Sequence, residues 1–203
     1  MTLYKQRERF QALSIKIGII FSKLPITPNQ WTLLSIIPAI LASFLVAKEL
    51  FLDAALLFLV SAFLDLVDGS VARVTKTASK FGAYLDTIVD RYVEAIIVFG
   101  LLLTALPSFL IQTKVWIFLY FFGAMMTTYA KAAAKEKEII PEGKELKGGL
   151  LERAERLIIL FVGILLAAVE PIYLVYVIAL LAILANVSAL QRILIAKNLA
   201  TRK

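Results

Sequence analysis

Four aspartates stand between residues 65 and 90, and their spacing is chemical. Asp65 and Asp68 are i, i+3; Asp86 and Asp90 are i, i+4. On helices, each pair shares a face. Folded back as a helical hairpin, the two stretches bring four carboxylates together. Such a cluster is strongly unfavourable without counter-charge, because the charges repel and lose solvation. Divalent cations resolve the conflict. The chain has no cysteine and no histidine, so zinc cages, disulfides and histidine-based triads are excluded. An all-oxygen donor set suits Mg²⁺ or Mn²⁺, and two such ions can share bridging carboxylates.

The residues between the aspartates point to what the metal serves. Gly69 follows Asp68, Ala72 comes three later, and Gly82 precedes Asp86 by four. Small residues admit a flat ligand or a neighbouring helix to the backbone. Arg73 offers a planar fork to phosphate oxygens. Carboxylates, metals and an arginine side by side describe a diphosphate site. The competing reading is a divalent cation transporter. Arg73 favours an anionic substrate and opposes cation entry.

The elements that position these residues are apolar. Hydrophobic residues make up 61% of the 203 and charged residues 18%, which is too little polar surface for a soluble domain. The sequence predicts an all-α integral membrane protein, a single domain over 1–203. Residues 3–21 form an amphipathic helix on the membrane surface, with Leu3, Phe10, Leu13, Ile17 and Ile20 at helical spacing. Thr27 caps the next helix, with Pro28 at its first position. Six transmembrane helices follow between residues 30 and 194, at about 30–47, 51–68, 83–106, 113–131, 154–169 and 171–194. The second continues past the apolar region to about residue 75. Turns fall at 48–50, near Pro107 and at 169–171. Residues 135–149 form a loop, Trp31 and Trp116 anchor at the interface, and Gly123 and Gly163 mark close packing.

Net charge is +7. The basic residues sit at the ends of apolar segments, which favours membrane topology and anionic headgroups over nucleic acid. With both termini inside, every lysine and arginine except Lys48 and Lys114 falls on the inner side. That places the termini and the aspartates on the cytoplasmic face of the cell membrane. Lys131, Arg153, Arg156 and Arg192 lie at inner ends of the last three spans. Cations from three helices suit a phosphorylated ligand better than a neutral polyol. Arg156 has a second possibility, pairing with Glu152 or Glu155.

The pattern Asp65-x2-Asp68-Gly69-x2-Ala72-Arg73-x8-Gly82-x3-Asp86-x3-Asp90 resembles the signature of the CDP-alcohol phosphatidyltransferase family, with all eight fixed positions in register. The resemblance implies a homodimeric membrane enzyme that transfers a phosphatidyl-type group from a CDP-linked lipid to an alcohol and releases CMP. It implies Asp65, Asp68 and Asp86 as principal metal ligands, with Asp90 assisting and serving as the general base. It assigns Asp68, Gly69, Ala72, Arg73 and Gly82 to CDP, joined by Asn29 and Thr32 near the nucleotide. The second half is similar to the inositol-phosphate-using branch, which implies Lys131, Arg153 and Arg192, with Arg156 nearby, as the acceptor-phosphate pocket. The expected substrates are CDP-diacylglycerol or CDP-archaeol and inositol 1-phosphate, with glycerol phosphate the alternative acceptor.

Overall fold

A computed structural model describes residues 3–140, 146 and 148–201, with side chains from residue 12 onward. Leu3, Lys5, Arg7, Arg9 and Phe10 therefore have a described backbone only. Lys144, Lys147, Arg202 and Lys203 lie outside the described residues, as does most of the far end of the 135–149 loop.

The described residues form eight helices: α1 (Leu3–Phe21), α2 (Pro28–Leu34), α3 (Ile36–Ala47), α4 (Phe51–Val74), α5 (Lys80–Leu103), α6 (Thr113–Glu136), α7 (Arg153–Ala167) and α8 (Pro171–Ala200). The helix α4 extends to Val74, beyond the apolar run, as its sequence predicts. The turns at 48–50, Pro107 and 169–171 are also where they were expected. The chain divides into two compact units. The first holds 1–45 and 53–100; the second holds 46–52 and 101–203.

In the first unit, α2 begins with a reciprocal cap. Thr27 Oγ1 accepts from Gln30 N, and Gln30 Oε1 accepts from Thr27 N at 2.8 Å. The first expected span is broken at Ser35. The cause is Pro38, which has no N–H for the Leu34 carbonyl and whose ring crowds it. Ser35 repairs the break. Its Oγ donates to Thr32 O at 2.7 Å, and its carbonyl accepts from Ser61 Oγ on α4 at 2.8 Å.

Two expectations are corrected here. Trp31 is not an interface anchor: it is buried against Val67 and Val71, with Ile17, Phe21 and Leu64 packed around it, and Phe21 meets it edge-on. Nor is α1 a helix whose stripe faces the membrane alone. Ser14 and Ile17 are turned into this unit, while Leu13 and Ile20 of the expected stripe are exposed. A second cluster joins Ala39, Val89 and Val93 and ties α3 to α5.

In the second unit, α8 packs against both α6 and α7. Close approach and interhelical hydrogen bonds tie them together. At Gly123 a Cβ would lie 2.7 Å from Asn186 Nδ2 and 2.8 Å from its backbone N. The missing side chain lets Asn186 Nδ2 donate to Leu119 O across the interface at 2.8 Å. Gly163 gives way to Val177 similarly. Trp116 Nε1 donates to Phe109 O at 2.9 Å.

Two helical stretches among the described residues are long and apolar enough to cross a membrane: Pro28–Ala47 and Pro171–Ala200. The expected six are not all of that kind. The helices α4 and α5 carry the aspartates within their length, α6 dilutes its apolar residues with Lys114, tyrosines and threonines, and α7 has only 15 residues.

Gly123→Ala is expected to lower stability by about 2 kcal/mol through overpacking. Thermal unfolding in detergent reads it, with Asn186→Ala as the companion that removes the hydrogen bond and the side-chain part of the clash while the backbone contact remains.

Candidate metal and diphosphate site

The helices α4 and α5 are continuous through the aspartates, so the spacing is realised as geometry. Carboxylate oxygens of Asp65, Asp68 and Asp86 lie within 4.8 Å of one another. Asp68 is buried; Asp65 and Asp86 are half-buried. The donors are all hard oxygens, and three carboxylates this close repel one another unless a cation or a proton offsets the charge. The set fits a divalent metal ion, and the site is divalent-metal dependent on that chemistry. Asp90, one turn beyond Asp86 on α5, lies outside this group of three and is half-buried.

A cleft opens beside the carboxylates. Pro28, Asn29 and Thr32 from α2 line one side; Asp68, Gly69, Ala72 and Arg73 from α4 and Gly82 and Asp86 from α5 complete it. Every residue that the sequence assigned to CDP is therefore in one wall or another of the same cleft. Thr32 Oγ1 donates to Asp68 Oδ2, which orients that carboxylate. Asn29 and Gly82 face each other: a Cβ on Gly82 would lie 3.1 Å from Asn29 Oδ1. A Cβ on Gly69 would lie 3.3 Å from Arg73 Nη1, so both glycines keep the cleft open.

Sequence reasoning missed four contributors. Ser79 Oγ accepts from Gly82 N at 2.9 Å and caps the start of α5; a serine three residues before the glycine was the available signal. Thr77 and Ala78 line the cleft from the α4–α5 turn, where Lys76 has a positive φ of 56°. Ser14 of α1 reaches Arg73, a contact 59 residues apart in sequence that no local pattern announces. Glu94, buried on α5, pairs with Arg91 at 2.8 Å.

The second unit holds the other set of cations. Arg192 is buried on α8. Its Nη1 donates to Thr127 O at 2.8 Å, its Nε to Gly148 O at 3.1 Å, and its Nη2 pairs with Glu152 Oε2 at 3.0 Å. Thr127 is a shared node, since Arg156 Nη1 donates to its Oγ1 at 3.3 Å. Glu152, offered by sequence as a partner for Arg156, is taken by Arg192. Glu155 Oε2 accepts from Glu152 N at 2.8 Å, starting α7. Lys131 and Arg153 are half-buried at the neighbouring ends of α6 and α7. The turn before α7 depends on Gly148 and Gly149, with φ of 130° and 120°. Those conformations favour glycine.

Comparison with known proteins accords with this geometry. The family model for CDP-alcohol phosphatidyltransferase matches residues 25–199. An archaetidylinositol phosphate synthase of Pyrococcus horikoshii is 36% identical over 197 residues, 97% of each chain. One from Methanothermobacter thermautotrophicus is 29% identical over 88% of this chain and 87% of its own. The fold resembles the crystal structure of Mycobacterium tuberculosis phosphatidylinositol phosphate synthase with CDP-DAG bound. The TM-score is 0.78 at 23% identity, covering 91% of this chain and 94% of that one. The same enzyme has been solved with manganese and citrate, again at a TM-score of 0.78.

Asp86→Asn removes one charge from the carboxylate group. Loss of an outer partner of a metal ligand already costs about 10–100-fold in affinity, so a ligand itself is expected to cost at least that. Mn²⁺ titration followed by electron paramagnetic resonance measures it.

Proposed function

The chain belongs to the CDP-alcohol phosphatidyltransferase family, and we propose that it moves a phosphatidyl or archaetidyl group from a CDP-linked lipid to inositol 1-phosphate, releasing CMP. The observation that carries this reading is the oxygen-only triad of Asp65, Asp68 and Asp86, of which Asp68 and Asp86 line one cleft with Arg73. The similarity to archaetidylinositol phosphate synthases favours the inositol phosphate acceptor.

Binding comes first. Asn29, Thr32, Gly69, Ala72 and Gly82 make the walls against which the cytidine end would lie. The Arg73 guanidinium offers two parallel N–H groups to the diphosphate oxygens. Asp65, Asp68 and Asp86 would hold a divalent cation, with Asp90 assisting, and two Mg²⁺ or Mn²⁺ ions are the proposed stoichiometry. Bound there, the metal supplies positive charge against the diphosphate.

The acceptor hydroxyl then attacks the lipid-side phosphorus. Its oxygen forms the new P–O bond as the bond from that phosphorus to the bridging oxygen breaks. CMP leaves with the electron pair, and the hydroxyl proton passes to the Asp90 carboxylate. Direct transfer needs no covalent enzyme intermediate and no nucleophile from the protein.

Lys131, Arg153, Arg156 and Arg192 are proposed to receive the acceptor phosphate. Arg192 is only 5% exposed, whereas its partner Glu152 is 64% exposed. An incoming phosphate can exchange for this solvated carboxylate at little cost. Residues 1–203 are proposed as one catalytic domain. The proposal includes six membrane spans with an interfacial α1, both termini and the active site facing the cytoplasm, and a homodimer in a lipid membrane. Nucleic acid is no part of it.

CMP release by detergent-purified protein, with Mg²⁺ and either CDP-diacylglycerol or CDP-archaeol, tests the reading. Release with inositol 1-phosphate, and not with inositol or serine, is expected. Preference for glycerol 3-phosphate would replace the acceptor and keep the donor chemistry. Asp90→Asn is expected to lower turnover by about 100-fold or more while CDP-lipid binding persists; wild-type turnover would remove Asp90 as the base. Arg153→Ala is expected to raise the acceptor KM far more than the donor KM.

A further inference from the structure

The helix α1 reaches the diphosphate-binding arginine through a chain of hydroxyls. Ser14 is buried, and its Oγ accepts from Arg73 Nη2 at 2.7 Å. Ser14 and Ser70 hydroxyl oxygens are 2.8 Å apart. Ser70 Oγ also lies 2.7 Å from Leu66 O, and Arg73 Nη2 lies 3.4 Å from Ser70 Oγ. The guanidinium and the two hydroxyls therefore form one connected group, in which the Ser14 oxygen accepts from Arg73 whichever hydroxyl donates to the other.

The approach of α1 is built for this contact. A Cβ on Gly18, one turn beyond Ser14, would lie 2.5 Å from Ser70 O and 2.6 Å from Val74 Cγ2. Only a bare backbone lets α1 sit so close to α4. Ile17 and Phe21 fix the same face into the Trp31 cluster. On the other side of the guanidinium, the missing side chain of Gly69 leaves room at 3.3 Å from Nη1. Arg73 is therefore held at Nη2 by Ser14 while its Nη1 edge stands over Gly69, in the wall of the donor cleft.

We infer that Ser14 is a positioning residue for the CDP-lipid donor: α1 holds the Arg73 guanidinium in the orientation that receives the diphosphate. An arginine fork left loose must be ordered each time the donor binds, and that cost falls on donor affinity. The inference rests on the donor-site reading above.

Titration calorimetry of CDP with Mg²⁺ into the detergent-solubilised full chain is the test. Ser14→Ala is expected to weaken CDP binding about tenfold, the scale of one lost hydrogen bond to a charged group, and Ser14→Thr to restore it. On an Arg73→Ala background, Ser14→Ala is expected to add nothing. In turnover, the donor KM rises while the acceptor KM holds. Gly18→Ala, which keeps Ser14 and pushes α1 off Ser70, is expected to give the same donor-specific loss. Wild-type CDP affinity in Ser14→Ala or Gly18→Ala, or an equal loss with and without Arg73, would overturn the positioning role alone. A wild-type chain that binds no CDP would overturn the donor-site reading and this inference with it.

Discussion

Three carboxylates within 4.8 Å of one another set the terms for the first unit. At an effective dielectric constant of about 20, two unit charges at that distance repel by about 3.5 kcal/mol. Three such pairs would strain the helical hairpin of α4 and α5 from within. A divalent cation turns the same arrangement from repulsive to attractive. The surroundings are organised accordingly. Thr32 donates to Asp68, Ser35 mends the break that brings Thr32 into place, and the Trp31 cluster holds α1, α2 and α4 together behind the site. The break caused by Pro38 is thus useful, because it makes α2 a short, separately aimed element beside the cleft.

The second unit poses the opposite problem. Here positive charge is buried, and backbone carbonyls answer it. Arg192 spends its donors on Thr127 O, Gly148 O and Glu152, while Arg156 is tied to Thr127 Oγ1. Buried guanidinium groups need this degree of satisfaction. Of the partners, Glu152 is the exposed one. One unit gathers negative charge and the other buries positive charge.

Much of this was legible in the sequence because it depends on helical periodicity. The i, i+3 and i, i+4 aspartates, the Thr27–Pro28 start, the reach of α4 to Val74 and the glycines at 69 and 82 all follow from local spacing. What escaped depends on contacts between distant segments or on apolar residues with two possible environments. Ser14 is polar in a stretch that reads as a surface helix, and its partner is 59 residues away. Trp31 has the composition of an interface anchor, yet Phe21 and Val67 enclose it. The Ser35 break was signalled by Pro38, but its apolar flanks concealed it. Charge spacing alone also does not distinguish Arg156 from Arg192 as the partner of Glu152, since the choice is made by α8.

The account turns on a metal ion held by Asp65, Asp68 and Asp86, so locating one is the most direct measurement. Crystals of the protein soaked in Mn²⁺, with data collected at the manganese absorption edge, give the ion's position independently of the chain trace. An anomalous peak about 2.0–2.2 Å from oxygens of these three aspartates, the range for a small hard cation, is the expected result. Full occupancy elsewhere with no peak between α4 and α5 would contradict it.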